Sequence, residues 1–146
     1  MIEMKLTAVE PCIFCRIIKG ELPSYKVYED NKSIAFLDIY PINEGHLLVM
    51  PKEHYKTITD MPCKLNKHLA GVVWELVLRL QKTLDPPGIK IIQNNNEAAG
   101  QEVPHYHIHL LPRYEGDGER YKETTLRTKA NKDKLLKLQE KLQKKS

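Results

Sequence analysis

The chain has 146 residues, the size of one globular domain, and its 41% of hydrophobic residues suffice for a buried core, which excludes a disordered chain. It contains no apolar run of about 18 residues and no secretory signal pattern, so we expect a cytoplasmic protein without a membrane partner. The net charge of +4 arises in residues 129–146, whose seven Lys against two acidic residues give +5; residues 1–128 together carry −1, so a nucleic-acid partner is not expected.

A C-x-x-C pair, Cys12 and Cys15, opens the patterned part of the chain. In a reducing compartment this spacing indicates either half of a metal site or a redox pair. Residues 12–19 are apolar and basic and are followed by Gly20, which predicts a short helix of about two turns.

Three strands are predicted next. The strand-like runs 25–28 and 33–37 flank a polar turn at residues 29–32, a pattern typical of a β-hairpin. Residues 46–50 form a nearly continuous apolar run that ends at Pro51, which predicts a well-buried third strand.

A long helix follows these strands. Asp60 is the expected N-cap, with Pro62 in the first turn, where its missing N–H costs little. The Asp-Pro-Pro-Gly segment 85–88 ends the helix. Between these limits one apolar stripe has helical spacing and consists of Leu65, Leu69, Val72, Val73, Leu76, Leu80 and Leu84.

Two more strands and a second amphipathic helix complete the chain. Residues 89–92 predict a fourth strand, and a polar loop covers 94–101. Residues 105–110 predict a fifth strand that ends at Pro112. The basic tail from Lys129 is expected to form a helix, with a stripe of Leu135, Leu138 and Leu142. The predicted fold class is α+β: a five-stranded, mainly antiparallel sheet with one long and one short helix and a basic C-terminal helical tail.

The predicted fifth strand carries three of the six histidines of the chain. His105, His107 and His109 alternate with apolar residues, so a period of two places the three imidazoles on one face of the sheet. A solvated polar face is the alternative, but a half-buried strand more often takes Val, Thr or Ile at such positions. The cluster therefore favours a binding or catalytic site.

Residues 105–111, His-Tyr-His-Ile-His-Leu-Leu, fit the signature of the histidine triad (HIT) hydrolases, His-φ-His-φ-His-φ-φ with φ apolar, and the chain resembles this family. The resemblance implies the HIT-like version of the α+β fold. It spans residues 11–115, an expected HIT domain, and leaves 116–146 as a basic C-terminal extension. Further similar motifs precede the triad in family order, at residues 12–18, 35–38, 45–52 and 100–101.

The resemblance implies a nucleotide hydrolase that cleaves at the α-phosphate of nucleoside phosphoramidates or related nucleotide derivatives through a covalent nucleotidyl-histidine intermediate. His107 would be the nucleophile, because a neutral imidazole attacks phosphorus well near pH 7. His46 and His109 would flank the phosphate, with His109 the better candidate for assisting the leaving group. Residues 111–113 instead resemble the dinucleoside polyphosphate hydrolases, which are the alternative with the same mechanism. A nucleotide-binding regulatory protein with incidental turnover is a further alternative.

By the same resemblance the expected substrate is a purine nucleotide. Asn94, with Asn95 as a one-residue alternative, would contact the phosphate, and Gln101 lies in the loop whose backbone would approach it. Asp38 would accept the ribose hydroxyls. Glu102 stands where the family usually has Ser or Thr; since a carboxylate repels phosphate, it either points away or accompanies a different leaving group. The expected base pocket, whose members could equally be core residues, consists of Ile13, Phe14, Ile17, Phe36, Ile39 and Leu48.

The resemblance also implies a structural zinc ion and a homodimer. The expected zinc ligands are Cys12, Cys15, His54 and His105. Two thiolates and two imidazoles form a closed tetrahedral set, which leaves no open position for catalysis. The alternative is a reduced C-x-x-C pair with an exposed His54. In the dimer the long helix and the strand after it would pair across the two-fold axis. Cys63 and His68 belong to no motif and are assigned no role.

Overall fold

The computed structural model describes residues 12–118 and 127–144. Residues 1–11, which include the expected domain start at residue 11 and the segment judged not to be a secretory signal, lie outside this part of the chain. The helices are α1 (Ile13–Ile18), α2 (Cys63–Leu84) and α3 (Lys132–Leu142). The strands are β1 (Lys26–Glu29), β2 (Ser33–Leu37), β3 (Leu47–Pro51), β4 (Gly88–Gln93) and β5 (Ile108–Arg113), and short 3₁₀ turns lie at Ile58–Asp60 and Glu97–Ala99.

The five strands form one antiparallel sheet in the order β1-β2-β3-β5-β4. β5 lies between β3 and β4, and His109 is opposite Leu48 on one side and opposite Ile92 on the other. The predicted α+β class, with one five-stranded sheet, a long helix, a short helix and a C-terminal helix, is confirmed. This register places His109 in the middle of the sheet.

Two hydrophobic clusters cover the sheet, one on each face. Along β2, Ala35 and Leu37 join the cluster under α2, whereas Ile34 and Phe36 join the cluster under α1, as a period of two requires. The α2 stripe contributes its fully buried leucines Leu69, Leu76 and Leu80 to the larger cluster. The face under α1 is the one that carries the histidines.

The N-terminus of α2 differs from the prediction. Asp60 is not the N-cap: α2 begins at Cys63, and its N-cap is Pro62. The Asp60 carboxylate instead accepts hydrogen bonds from the backbone N–H (2.9 Å) and the hydroxyl (2.8 Å) of Thr57, which closes the 3₁₀ turn. A carboxylate used in the preceding turn is not available to cap the helix.

The limits of β5 also differ from the prediction. The strand begins at Ile108 rather than at His105, and Pro112 lies inside it, opposite Ile89 of β4. The β3–β5 ladder starts at Leu47 opposite Leu110, so at Pro112 only the β4 side of β5 has a partner strand. A proline without an N–H is tolerated there because no ladder bond is lost.

The C-terminal helix α3 forms as predicted, and Leu135, Leu138 and Leu142 are buried in the larger cluster. Asn131 caps its first turn by accepting a hydrogen bond from the Lys134 N–H (3.1 Å). In the part of the chain that the structure describes, no helix combines the length and the apolar character that a membrane span needs.

Candidate active site

A cavity of about 530 Å³ opens on the face of the sheet under α1. It brings together three predicted catalytic histidines, His46, His107 and His109, with the predicted phosphate contact Asn94 and the predicted ribose acceptor Asp38. Five of the six predicted base-pocket residues also line it, namely Ile13, Phe14, Ile17, Phe36 and Ile39. The sixth, Leu48, is buried in the cluster behind it.

His107 lies immediately before β5 and is buried. Its Nδ1 is 2.6 Å from the carbonyl oxygen of His105. Because a carbonyl can only accept, Nδ1 carries the proton and the lone pair of the neutral ring is on Nε2. The Phe14 ring packs edge-on against this imidazole, with 5.1 Å between ring centroids. The backbone thus leaves the ring with a nucleophilic nitrogen.

A chain of hydrogen bonds orients the other two imidazoles. The backbone N–H of Ile42 donates to His46 Nδ1 (3.2 Å), so in the neutral ring Nε2 carries the proton. His46 Nε2 then donates to His109 Nδ1 (2.9 Å), which leaves the His109 proton on Nε2. Gly45 permits this placement of His46, because its φ is +90° and a Cβ would lie 2.5 Å from Leu84 Cδ1.

The three imidazoles are held neutral. Burial lowers the pKa of His46 to about 3 and of His109 to about 4, and the positive charge of Arg127 acts in the same direction. Burial also lowers the pKa of His107. A neutral His107 is required of a nucleophile, and a neutral His109 retains a proton on Nε2 that it can donate.

Asp38 follows β2 and is fixed by its neighbour. Its Oδ1 accepts the backbone N–H of Tyr40 (2.8 Å), while Oδ2 lies 3.8 Å from His46 Nε2. Burial raises the pKa of this carboxyl, although the Tyr40 N–H and Arg127 act in the opposite direction. One carboxylate oxygen is therefore directed to the histidine side of the cavity.

The two candidate amides are placed differently. Asn94 lines the cavity, and its Nδ2 is 3.4 Å from the Gly100 carbonyl. Asn95 turns to the other side, where its Oδ1 accepts the Ile58 N–H (2.8 Å). Gln101 is buried and does not line the cavity: its Oε1 accepts the Asn96 N–H (2.7 Å) and its Nε2 donates to the Lys56 carbonyl. Gln101 braces the loop that Asn94 faces.

Arg127 is a cavity residue that the sequence did not single out. It lies just before α3, and its guanidinium is 3.6 Å from Asp38 Oδ2 and 3.9 Å from Glu102 Oε2. Glu102, the departure from the family pattern, also lines the cavity. No spacing rule connects these positions, because they meet only when the segment after residue 126 is packed against the domain.

His68, to which the sequence gave no role, joins α2 to the first hairpin. Its Nε2 lies 2.8 Å from Asp30 Oδ2, in the turn between β1 and β2. Burial alone would raise the pKa of Asp30, but hydrogen bonds from Lys32, Tyr28, Ser33 and His68 hold it well below its usual range. His68 does not line the cavity, and its contact joins α2 to the turn of the first hairpin.

A second cluster is formed by the four predicted zinc ligands, Cys12, Cys15, His54 and His105. Their ligand atoms all lie within 4.8 Å of one another. Cys15 Sγ is 3.2 Å from His54 Nδ1, and Cys12 Sγ is 3.4 Å from His105 Nδ1. Burial and the neighbouring Cys12 thiol raise the pKa of Cys15 to about 12.

The donor set fits a tetrahedral zinc ion. His105 Nε2 is 3.0 Å from the Pro51 carbonyl, so it donates there and directs the Nδ1 lone pair to the two thiols. Two sulfur and two nitrogen donors with no carboxylate are typical of a structural zinc site. The His105 carbonyl, in turn, accepts from His107 Nδ1, which links this cluster to the cavity.

Known proteins are similar to this chain in sequence. The family model of the HIT domain matches residues 19–116. An uncharacterised HIT-like protein of Methanocaldococcus jannaschii is 50% identical over 109 residues, which cover 74% of this chain and 83% of that protein. An adenosine 5′-monophosphoramidase of Candida albicans is 43% identical over 106 residues, 70% of each chain.

Solved structures of similar fold include two histidine triad proteins. A hypothetical histidine triad nucleotide-binding protein of Sulfolobus tokodaii superposes with a TM-score of 0.81 at 35% identity, covering 90% of this chain and 89% of that one. A zinc-bound histidine triad family protein of Mycobacterium smegmatis has a TM-score of 0.77 at 32% identity, covering 92% and 94%.

Proposed function

This chain belongs to the HIT domain family, and from that membership and its buried histidines we propose that it is a nucleotide hydrolase cleaving purine nucleoside phosphoramidates or related derivatives at the α-phosphate. The observation that carries the proposal is the orientation of His107, whose Nδ1 donates to a backbone carbonyl and whose Nε2 keeps its lone pair. The name of the Candida albicans relative, an adenosine 5′-monophosphoramidase, supports the substrate class.

In the first step, Nε2 of His107 attacks the α-phosphorus. A phosphorus–nitrogen bond forms, and the bond to the leaving group breaks with its electron pair. An amine leaving group takes up the proton of His109 Nε2, which the hydrogen bond from His46 keeps in position. In the second step, water attacks the same phosphorus and gives one proton to His109 Nε2, which replaces the proton that the amine took. The phosphorus–nitrogen bond breaks with its electron pair on His107 Nε2, and a nucleoside monophosphate leaves, so that both histidines are regenerated.

The remaining cavity residues bind the nucleotide in this proposal. Asp38 Oδ2 accepts the ribose hydroxyls, and the Asn94 amide donates to a phosphate oxygen. Gln101 shapes the phosphate-binding loop through its two backbone hydrogen bonds. The apolar side chains of α1 and β2 form the slot for the base, with Leu48 supporting it from behind.

The test replaces His107 by Asn. Wild type should show a nucleotidyl adduct by intact-mass spectrometry after mixing with adenosine 5′-phosphoramidate or a diadenosine polyphosphate, and His107→Asn should show none. Turnover should fall at least ~1,000-fold because the nucleophile is removed, while binding of adenosine monophosphate persists.

His68→Asn is the matched control, because it removes an imidazole that does not line the cavity and should leave turnover intact. Turnover that persists in His107→Asn would contradict the covalent mechanism. Wild type that binds adenosine monophosphate without adduct or turnover would instead indicate a nucleotide-binding regulatory protein.

We also propose that Cys12, Cys15, His54 and His105 hold a structural zinc ion. When bound, zinc supplies no reactive position, since all four ligands come from the protein. The zinc-bound Mycobacterium smegmatis structure supports the assignment. Because His105 is one of the four ligands, the cluster holds the His105 backbone carbonyl in the position where it accepts the His107 Nδ1 proton.

A homodimer is proposed as well. Trp74 on α2 is 68% exposed and Ile91 on β4 is 55% exposed, although both are large and apolar. They lie on the long helix and on the strand after it, the two elements that we expect at the dimer interface. Large exposed apolar side chains on these two consecutive elements are typical of a surface that a partner covers.

A further inference from the structure

The described residues 127–144 pack against the domain. The backbone N–H of Ala130 donates to the Ile39 carbonyl (2.8 Å), directly after the candidate ribose acceptor Asp38. Leu135, Leu138 and Leu142 of α3 are buried in the main core, and Gln139 Nε2 donates to the Lys26 carbonyl (2.9 Å). These contacts place Arg127, three residues before Ala130, beside the cavity.

Arg127 lies between the two carboxylates of the cavity. Its side chain is 18% exposed, with Nη1 3.6 Å from Asp38 Oδ2 and Nη2 3.9 Å from Glu102 Oε2. Asp38 Oδ2 is also 3.8 Å from His46 Nε2, so a single carboxylate oxygen separates the guanidinium from the histidines. Arg127 also lies beyond residue 116, where the family match ends.

The position of Arg127 matters because of the other charged side chains that line the cavity. Among the lining residues that the structure describes, Asp38 and Glu102 are acidic and Arg127 is the one Lys or Arg side chain. A nucleotide adds negative charge at the α-phosphate, and an acid anhydride adds more on its leaving group. Without Arg127 the two carboxylates would oppose both charges. Guanidinium groups suit phosphate and sulfate oxygens because they offer paired donors.

We propose that Arg127 determines leaving-group specificity by binding an anionic leaving group, and so favours nucleotide anhydrides of phosphate or sulfate relative to phosphoramidates. The inference rests on the proposed hydrolase function. Ribose hydroxyls that bind Asp38 Oδ2 replace Nη1 at that oxygen, and the guanidinium then contacts the leaving group. Arg127 Nη2 continues to balance the negative charge of the Glu102 carboxylate.

The chemistry separates the two substrate classes. In an anhydride the phosphorus–oxygen bond breaks with its electron pair on oxygen, and the phosphate or sulfate departs as an anion whose charge Arg127 stabilises. An amine must instead take up the His109 proton to leave, and the resulting neutral molecule offers no charge to Arg127. Arg127 should therefore speed the hydrolysis of anhydrides and have little effect on the hydrolysis of phosphoramidates.

The test compares kcat/KM of wild type, Arg127→Gln and Arg127→Lys on adenosine 5′-phosphosulfate, a diadenosine polyphosphate and adenosine 5′-phosphoramidate. Arg127→Gln should lower kcat/KM about 10- to 100-fold on the first two substrates and less than about threefold on the third, the range of one charge-assisted hydrogen bond. Arg127→Lys should recover part of the loss because it restores the charge. Lys137→Gln, which removes a charge from exposed α3 surface, should change neither class.

Glu102→Gln provides the second comparison. In the Arg127→Gln background it should restore several-fold activity on anhydrides, since it removes the carboxylate that Arg127 no longer neutralises. Equal losses on all three substrates, no loss, or a gain with Arg127→Gln would each overturn the inference.

A binding measurement separates this inference from the proposed function. If wild type hydrolyses none of the substrates, the proposed function fails, and calorimetry with ADP and AMP decides the role of Arg127. Wild type should then bind ADP more tightly than AMP, and Arg127→Gln should lose that difference at an unchanged unfolding temperature. An unchanged ADP-to-AMP ratio in Arg127→Gln would overturn the inference.

Discussion

Each imidazole of the site owes its proton position to one particular neighbour. The His105 carbonyl sets the tautomer of His107, and the Ile42 N–H sets that of His46. His46 in turn orients His109. The residue types were recognisable from the sequence, but these partners, two backbone groups and the His46 side chain, are placed by the fold.

We predict that burial of His46 and His109 makes the protein acid-sensitive between about pH 6.5 and 5. Their pKa values in the folded protein, about 3 and about 4, lie below the ordinary histidine value of 6.5, so the unfolded chain takes up protons first. The stabilising contribution is complete above pH 6.5 and is lost as the pH falls towards the folded values. By pH 5 the loss is about 1–2 kcal/mol for each histidine.

Thermal unfolding followed across pH 7.5 to 5 measures this effect. The unfolding temperature should fall by several degrees for wild type, and the slope should be smaller for His109→Gln, which has one fewer group to protonate. An unfolding temperature that stays constant across this range in wild type would contradict the prediction.

At the scale of elements, one edge of the sheet is covered by a helix and, among residues 12–118 and 127–144, the other edge is not. The β1 edge is covered by α3 and its C-cap: the side chains of Gln139 in the helix and Gln143 just after it both donate to the Lys26 carbonyl. β4 ends the sheet on the other side, and none of the described residues forms a strand beyond it. An uncovered edge beside exposed apolar residues is a surface at which strands of two chains can pair.

We predict that Trp74→Glu converts the expected homodimer into a monomer, because it places a charge in an apolar interface. Sedimentation velocity at micromolar concentration measures the change. Leu136→Glu is the matched control: Leu136 is a large hydrophobic residue on α3 that is 45% exposed, and its replacement should leave the dimer intact. A wild-type chain that sediments as a monomer would contradict the proposal.

Periodicity predicted most elements correctly but not their ends. The α2 stripe and the α3 stripe form the buried faces that a 3.6-residue period requires. Asp60 and Pro112 were misjudged because each makes its decisive contact with another part of the chain, Asp60 with the Thr57 turn and Pro112 with β4 alone.

At the scale of the whole molecule, the Cys/His cluster ties together distant parts of the chain. Cys12 is the N-cap of α1, Cys15 lies in its first turn, His54 follows β3, and His105 precedes β5. A zinc ion held there would close long loops, and it would brace the His105 carbonyl that orients His107. Folding and catalysis are therefore expected to depend on the same ion.

We predict that removing zinc with a chelator lowers the unfolding temperature by several degrees and reduces turnover. Zinc binding should weaken as the pH falls, because the Cys15 thiol, with its pKa raised to about 12 by burial and by Cys12, must release its proton to bind. Metal content by atomic emission and thermal unfolding measure both effects.

Cys12→Ser should reproduce the loss of metal, whereas Cys63→Ser, at an exposed cysteine of α2, should retain it. Protein that is purified without zinc, binds none on titration and unfolds at the same temperature as Cys12→Ser would rule out the site.

The sequence by itself determined the α+β elements, their buried faces and the chemical groups of the site, because periodicity and residue type are local properties. Tertiary structure alone decided that Asn94 rather than Asn95 lines the cavity and that Gln101 braces its loop. It also brought Arg127 to Asp38 and Glu102. Contacts between residues far apart in the chain depend on how α3 and the sheet pack, and packing has no signature at any single position.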